Sequence, residues 1–201
     1  MIMKSQEPFL EPIARYLRFN KGITQITAKK PIVMVDLGCG PYKPFYFYAK
    51  NHGVKIKKYI GIDPLLSNKF FESTDKNNRV SLLRNSLEKK IPLPSSSVDY
   101  VVSFAALEHF NHPQDILNDA IRILKRHGKI ILTTPTKIAK PLLEFLEKIG
   151  LVSSREIHEH KHYFDKKSLK GLISVKNVKI RHIYFEAGLN NLLVIEKTRM
   201  T

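Results

Sequence analysis

The chain has 201 residues, of which 43% are hydrophobic, and this is enough for the core of one or at most two domains. No window reaches the roughly 20 apolar residues of a membrane span, and a single cysteine, Cys39, excludes an internal disulfide framework. The net charge of +16 is compatible with an anionic partner. The basic residues are dispersed and interleaved with acidic ones, so a lysine-rich surface without such a partner explains the charge equally well.

The N-terminal stretch has no apolar core of the kind found in secretion signals, because charged residues and prolines interrupt it at positions 7, 8, 11 and 12. We therefore expect a cytoplasmic protein. Apolar residues then recur at positions 9, 10, 13, 14 and 17, and this spacing predicts a helix from Pro8 to Phe19.

Strands and helices alternate over the next hundred residues. Apolar runs predict strands at 32–37, 57–63, 80–85, 97–104 and 129–135, and helical spacing predicts helices at 44–53 and 141–150. A further helix is predicted to begin at Pro113 and to close at Gly128, with Lys125 and Arg126 at its negative C-terminal end.

The last third of the chain adds a short helix and a hairpin. Asp165 is predicted to cap a helix that starts at Lys166, and two strands are predicted on either side of the turn AGLNN at 187–191. Alternating strands and helices indicate a doubly wound parallel sheet, to which the hairpin adds an antiparallel strand. No second domain is indicated.

The stretch VDLGCGPYKP, at 35–44, places two glycines directly after the first apolar strand. Gly38 and Gly40 allow the backbone to approach a ligand closely, and ligands of open α/β sheets bind outside the carboxyl ends of the strands. Asp63 follows the next strand, where an acidic residue accepts hydrogen bonds from ribose hydroxyls. Alternatively, Asp36 and Gly38 terminate a strand and Asp63 forms a turn before Pro64.

This turn differs from the dinucleotide fingerprint, which needs a third glycine opening a helix onto a pyrophosphate. Gly40 is followed by Pro41, Tyr42 and Lys43, and the carboxylate of Asp36 would repel a pyrophosphate. A nucleoside with a positively charged amino-acid tail suits this carboxylate better, and S-adenosylmethionine is such a molecule.

Four segments, VDLGCGPYKPF, YIGIDP, SVDYVVSFAALEHFNHP and ILNDAIRILKRHGKIILTTP, closely resemble class I S-adenosylmethionine-dependent methyltransferases of the type 11 branch. The resemblance implies a Rossmann-like, mostly parallel seven-stranded sheet with an antiparallel C-terminal hairpin. It also implies a single methyltransferase domain over 1–201. The expected parts are a helical cap at 1–30, a cofactor-binding core at 31–136, and the substrate-side helices and hairpin at 137–201.

The resemblance also implies roles for residues at matching positions. Those expected to contact the cofactor S-adenosylmethionine are Asp36, Gly38, Cys39 and Gly40 at its methionine part, Asp63 at the ribose, Ser86 and Leu87 near the adenine, and Ser103 beside the methionine. Ser86, or Asn85 if the register shifts, occupies the position of the family's usual adenine-binding acid. The Leu87 amide could replace that contact.

Catalysis of methyl transfer requires alignment of the two reactants, and a general base when the acceptor is a hydroxyl. Glu108 and His109 follow the fourth strand and are the candidate catalytic residues. A similar E-x-x-E-H motif with a later histidine occurs in ubiquinone-pathway and small-RNA 2′-O-methyltransferases. Ala105 replaces the first glutamate here, so no metal site is predicted. The alternative is a metal held by Glu108, His109 and a histidine among 158, 160 and 162, which would share one side of an extended segment.

The resemblance therefore predicts methyl transfer to a small-molecule acceptor, such as a hydroxyl of a sugar, a lipid precursor or a related metabolite, and this substrate could be anionic. An RNA methyltransferase is the first alternative, and a non-catalytic S-adenosylmethionine-binding protein is the second. No appended RNA-binding module is visible in the sequence. The acceptor-binding cap is expected from the first 30 residues and from 136–175.

Overall fold

The computed structural model describes residues 8–66, 79–88, 90–153 and 158–198. The first seven residues of the predicted N-terminal cap, 1–7, lie outside the described part. The described helices are α1 (Glu11–Ile23), α2 (Pro44–Asn51), α3 (Pro113–Ile123), α4 (Ala139–Lys148) and α5 (Lys166–Gly171). The strands are β1 (Ile32–Leu37), β2 (Ile56–Ile62), β3 (Val80–Leu83), β4 (Val98–Phe104), β5 (Leu124–Pro135), β6 (Val178–Phe185) and β7 (Asn190–Lys197).

The strands of the described residues form one seven-stranded sheet in the order β3-β2-β1-β4-β5-β7-β6. Strands β1 to β5 pair in parallel, whereas β7 lies antiparallel between β5 and β6. The predicted doubly wound sheet with an antiparallel C-terminal hairpin is confirmed. The order reverses between β1 and β4, and open α/β sheets bind ligands at the carboxyl ends of the strands beside such a reversal.

The core lies on both faces of the sheet, which explains the continuous apolar runs of the central strands. In β4, Val101 packs into the cluster that contains α3, and the adjacent Val102 packs into the cluster beneath α1 and α2. Helix α3 contributes the apolar face that its spacing predicted, namely Ile116, Leu117, Ala120 and Ile121.

Helix α3 ends earlier than predicted. Its last residue is Ile123, and the next residue, Leu124, is already extended with ψ of 135°. The five residues from Leu124 to Gly128 accommodate a shift of register against β4, and the Lys125 ammonium pairs with Asp99 at 2.9 Å. Lys125, assigned to the helix end, therefore pairs with β4 beside a strand irregularity instead.

The terminal elements follow the sequence prediction more closely. The Asp165 carboxylate accepts a hydrogen bond from the Ser168 amide at 2.7 Å, and the Ser168 hydroxyl accepts one from the Asp165 amide. This reciprocal capping box starts α5 as predicted. Helix α1 begins at Glu11, three residues after the predicted start, and continues to Ile23.

Helix α1 contacts the sheet through Gly22, which leaves room for an aromatic ring. A Cβ atom at this position would lie 2.3 Å from Cε1 of Phe104, the last residue of β4. The Phe104 ring cannot easily move aside, because the rings of Phe19 and Phe45 pack against it at centroid distances of 5.2 and 4.4 Å. This contact holds α1 over the carboxyl end of β4.

Gly22→Ala tests this contact. Alanine in a helix interior normally stabilises by about 1 kcal/mol relative to glycine, but here the clash with Phe104 should reverse the sign and cost ~1–3 kcal/mol. The measurement is the free energy of unfolding in urea. Gly171→Ala is the matched control, since a Cβ there meets no atom within 4 Å, and it should be neutral or stabilising. A Gly22→Ala protein as stable as the parent would contradict the packing described.

Candidate active site

The turn after β1 is built on backbone hydrogen bonds to the end of β2. The amide of Gly38 donates to the Ile62 carbonyl at 2.8 Å, and Gly38 has a φ of +75°, which favours glycine. A Cβ on Gly38 would lie 2.4 Å from Cβ of Ala106. Gly38 is therefore required by the fold itself, in addition to any role beside a ligand.

Asp63 clamps the same turn from the end of β2. Its Oδ2 accepts a hydrogen bond from the Gly40 amide at 2.9 Å, and its Oδ1 accepts one from the Leu65 amide at 2.8 Å. Each carboxylate oxygen has a further lone pair, so Asp63 can still accept bonds from a ligand. A Cβ on Gly40 would meet no atom within 4 Å, so the backbone of Gly40 faces open space.

Asp36 lies at the base of this turn and is buried. Burial raises the pKa of its carboxyl to about 7, the nearby Asp63 adds to the rise, and a 2.5 Å hydrogen bond from the Tyr59 hydroxyl opposes it. A positively charged group placed beside Asp36 would favour the carboxylate form. The site is thus suited to a cationic ligand group.

These groups open into a cleft of 460 Å³, a volume typical of small-molecule sites. The glycine turn and Asp63 form one wall, and α1 covers the other. A depression of 540 Å³ lies at the opposite, amino-terminal edge of the strands, away from the site expected for this fold. The residues of the cleft that sequence reasoning did not identify include Arg15, Arg18, Phe19, Glu88, Phe104 and Lys161.

Two of the predicted cofactor contacts have other partners. The hydroxyl of Ser103 is buried and donates to the Leu37 carbonyl at 3.1 Å, so it ties β4 to β1. Leu87 is buried in the core, and its amide donates to Asn85 Oδ1 at 2.8 Å, which leaves no free amide for adenine. Ser86 does line the cleft, as does Glu88, which supplies a carboxylate near the expected position.

Glu108 and His109 lie where β4 gives way to a short 3-10 helix, Leu107–His109. Glu108 is fully buried, and burial raises the pKa of its carboxyl, while His109 and the neighbouring Thr134 hydroxyl oppose the rise. Neither carboxylate oxygen forms a hydrogen bond of normal geometry among the described residues, and the Thr134 hydroxyl forms none either. Nδ1 of His109 lies 3.1 Å from the Glu159 carbonyl oxygen, to which it can only donate. Nε2 of His109 is therefore the basic nitrogen.

The three histidines predicted to share one side of an extended segment are separated instead, because residue 158 is helical and residue 159 lies in a turn. His158 pairs with Glu147 at 3.0 Å, and Nε2 of His162 lies 3.1 Å from the Phe110 carbonyl oxygen. His160 alone joins Glu108 and His109, and burial, followed by the charges of His109 and Arg18, lowers its pKa to about 4.

The cluster of Glu108, His109 and His160 places one candidate ligand atom from each residue within 4.8 Å of the others. One carboxylate and two imidazoles suit a first-row transition metal better than Mg²⁺, which prefers oxygen ligands. The same three groups can equally serve proton transfer and substrate binding. The structure thus brings together Glu108, His109 and one histidine of the later segment, as the alternative metal site requires. Ala105 supplies no ligand where the related motif has its first glutamate.

A second cavity, of 230 Å³, lies between α1 and α4. It shares four lining residues with the cleft, so the two spaces adjoin at these residues: Glu11, Arg18, Ala105 and His109. His109 therefore lies at the junction of the cleft and this cavity, which is the arrangement expected for a group that acts between two reactants.

Comparison with known families identifies the domain. Residues 35–132 match the Methyltransf_11 model, described as a methyltransferase domain. Residues 35–132 are a methyltransferase domain of this family. The prediction made from the four sequence motifs is confirmed, and the methyltransferase domain contains the glycine turn, Asp63, Glu108 and His109 of the site described above.

Individual relatives agree with this assignment. A Mycolicibacterium smegmatis protein named a probable S-adenosylmethionine-dependent methyltransferase is 33% identical over 60 residues, covering 30% of this chain and 23% of the relative. A Dictyostelium discoideum protein, also named a methyltransferase, is 28% identical over 137 residues, covering 68% and 46%. The chain thus spans less than half of the length of these two curated relatives.

Solved structures show the same fold. The Haloferax volcanii complex of the Trm112 methyltransferase activator with a methyltransferase aligns with a TM-score of 0.72 and 14% identity, over 94% of this chain and 92% of the neighbour.

Among the helices of the described ranges, none combines the length and apolar character that crossing a membrane requires.

Asp36→Asn tests the burial of the carboxyl in the methyltransferase domain. Because folding raises the Asp36 pKa, its contribution to stability is complete below pH ~4 and is lost as the pH rises through about 7. The difference in unfolding free energy between the parent and Asp36→Asn should therefore change with pH. Between pH 4.5 and 8 the parent should lose a few kcal/mol relative to the variant, on the order expected for such a pKa shift.

The measurement is urea denaturation across that pH range, with Asp115→Asn, a change on the exposed face of α3, as the control. Parallel pH profiles for the parent and Asp36→Asn would contradict the raised pKa.

Proposed function

We propose that the chain is an S-adenosylmethionine-dependent methyltransferase that acts on a hydroxyl of a small molecule. The observation that carries this proposal is the pairing of Asp36, a buried carboxyl suited to a cation, with Asp63 at the end of the next strand, in one cleft. S-adenosylmethionine carries an ammonium on its amino-acid part and two hydroxyls on its ribose, and these groups suit Asp36 and Asp63, respectively. The names of the relatives support the same cofactor.

The described residues fit this cofactor in a definite arrangement. Asp36 would balance the charge of the amino-acid part, and the open face of Gly40 would admit it close to the backbone. Asp63 would accept the ribose hydroxyls, and Ser86 and Glu88 would border the adenine. When bound, the cofactor supplies a methyl group on a positively charged sulfur.

The residues after β4 would then act on the acceptor. His109 lies at the junction of the cleft and the second cavity, and the Glu159 carbonyl fixes its Nδ1 as a donor. Nε2 can accept the proton of an acceptor hydroxyl as the oxygen becomes a nucleophile. Glu108, buried beside it, would stabilise the positive charge that His109 gains.

The size of the second cavity favours a small acceptor over RNA. At 230 Å³ it lies below the ~300–1,000 Å³ of most drug-sized ligand sites. A nucleotide within an RNA strand would need an open approach for the flanking phosphates, whereas α1 and α4 form two facing walls of this cavity.

The proposed contact of Asp63 with the ribose can be separated from its structural role in the turn by changing the ligand as well as the protein. S-adenosylhomocysteine should bind the parent ~10–100-fold more tightly than its 2′-deoxy analogue, since a hydrogen bond to a charged group is lost. In Asp63→Ala both ligands should bind with similar affinity. Calorimetry measures the two dissociation constants for each protein, and their ratio is insensitive to a general weakening of the turn. An unchanged ratio in Asp63→Ala would remove Asp63 from the ribose role.

His109→Gln tests the proposed base. Turnover should fall by ~10²–10⁴, the usual contribution of a positioned general base, while affinity for S-adenosylhomocysteine is preserved. Turnover is measured as transfer of a radioactive methyl group from S-adenosylmethionine to a cell extract, and the control is His158→Gln, at an exposed histidine outside both cavities.

Two results would count against this function. Near-normal turnover in His109→Gln would make His109 a packing residue. Label that disappears from the product on nuclease treatment would favour the RNA methyltransferase alternative, because the proposal predicts a nuclease-resistant small molecule.

A further inference from the structure

The cavity between α1 and α4 contains an unusual concentration of buried polar atoms without partners. Among the described residues that line it, five such atoms have no hydrogen bond: Nε of Arg18, both carboxylate oxygens of Glu108, Oε1 of Glu186 and Oδ1 of Asn190. Each unsatisfied buried group costs ~1–3 kcal/mol, and folded proteins satisfy the great majority of them. Five in one cavity indicate that a ligand completes these bonds.

The five atoms differ in what they can bond. The four oxygens of Glu108, Glu186 and Asn190 act as acceptors when the carboxyls are ionised, whereas Nε of Arg18 is a donor. The Asn190 amide group already donates to the other carboxylate oxygen of Glu186. This contact fixes the orientation of the amide, so Oδ1 of Asn190 is the atom left to accept a hydrogen bond. The cavity therefore needs a ligand that mainly donates hydrogen bonds and can also accept one.

Arg18 decides between the two common donor groups. An ammonium would suit the carboxylates, but it cannot accept a bond from Nε of Arg18 and would be repelled by the guanidinium. That positive charge lies close to the carboxylates: burial raises the pKa of Glu108 and of Glu186, and Arg18 opposes the rise in both. Hydroxyl groups donate to the oxygens and accept from Arg18, so they satisfy every atom of the set.

Apart from Glu11, His109 and His160, the other residues that line the cavity are apolar. Helix α1 and the residue before it contribute one wall, and α4 with the loop after it contributes the other, through Leu10, Ile13, Ala14, Leu17, Leu142, Leu143, Leu146 and Val152. A free sugar would leave its hydroxyls unpaired against these walls, and a phosphate would be repelled by two carboxylates. The walls fit a hydrocarbon or aromatic body instead.

We propose that this cavity binds the methyl acceptor, and that the acceptor is a small, largely apolar molecule with at least two hydroxyl groups at one end. The inference rests on the proposed function and deepens it, since His109 joins this cavity to the cofactor cleft. One hydroxyl would approach His109 and Glu108 for methylation, and another would be held by Glu186 and Asn190.

A probe series of matched size tests the acceptor class. The probes are 4-ethylresorcinol, 4-ethylphenol, ethylbenzene and 4-ethylbenzylamine, added to protein saturated with S-adenosylhomocysteine, with dissociation constants measured by ligand-observed NMR. We expect affinity to fall by ~10-fold or more with each hydroxyl removed, as expected for hydrogen bonds to charged groups. The amine should bind no better than ethylbenzene. Equal affinities across the series, or tightest binding of the amine, would overturn the proposal.

Variants locate the binding. Glu186→Gln and Glu108→Gln each replace an acceptor oxygen with a donor at nearly the same shape, and each should weaken 4-ethylresorcinol by ~10-fold or more while leaving ethylbenzene unchanged. Glu144→Gln is the control, since Glu144 lies on α4 outside the cavity and should have no effect. Thermal melting verifies that each variant is folded. Equal loss for both ligands, or no loss, would contradict the assignment.

Two further measurements separate this proposal from a metal site at the same residues and from a failure of the proposed function. Calorimetric titration of the dialysed protein with Zn²⁺ or Mn²⁺ should give no binding that depends on Glu108. Tight metal binding abolished by Glu108→Gln and His160→Ala would assign the unpaired oxygens to a metal and overturn the proposal. Binding of S-adenosylhomocysteine alone is measured first, and its absence would reject the proposed function independently of the acceptor class.

Discussion

The site depends on one carboxylate, that of Asp63, which joins the ends of two neighbouring strands. By accepting the amides of Gly40 and Leu65, it holds the turn after β1 against the turn after β2. The two strands are parallel and hydrogen-bonded along their length, so their carboxyl ends already lie side by side. The clamp converts that proximity into a fixed wall, and the open face of Gly40 makes the wall accessible to a ligand.

The buried acidic groups near this wall lower the stability of the fold, and a bound ligand explains both of them. Asp36 and Glu108 are buried in a chain of net charge +16, yet neither forms an ion pair with a described lysine or arginine. A buried carboxyl without a cation costs stability, and such groups persist mainly where a ligand uses them. In the proposed function Asp36 faces the charged end of the cofactor, and Glu108 faces the acceptor.

The candidate residues that both sequence and structure place together at the carboxyl ends of the strands are those fixed by strand ends, and their contacts with a ligand stay predictions. Asp36, Gly38 and Asp63 follow apolar runs, and the carboxyl ends of parallel strands converge whatever the rest of the chain does. Ser103 was assigned to the site by analogy, but in the structure its hydroxyl bonds the neighbouring strand. Arg18 and Glu186 could not be found in this way, because they lie 168 residues apart in the sequence. They reach the second cavity from α1 and from the turn before β7.

A crystal structure of the protein with S-adenosylhomocysteine tests the proposed cofactor site most directly. The ribose hydroxyls should lie within hydrogen-bond distance of Asp63, the amino-acid part should lie over Gly40 toward Asp36, and the sulfur should face His109. A ligand bound elsewhere, or bound in the cleft with its ribose away from Asp63, would contradict it.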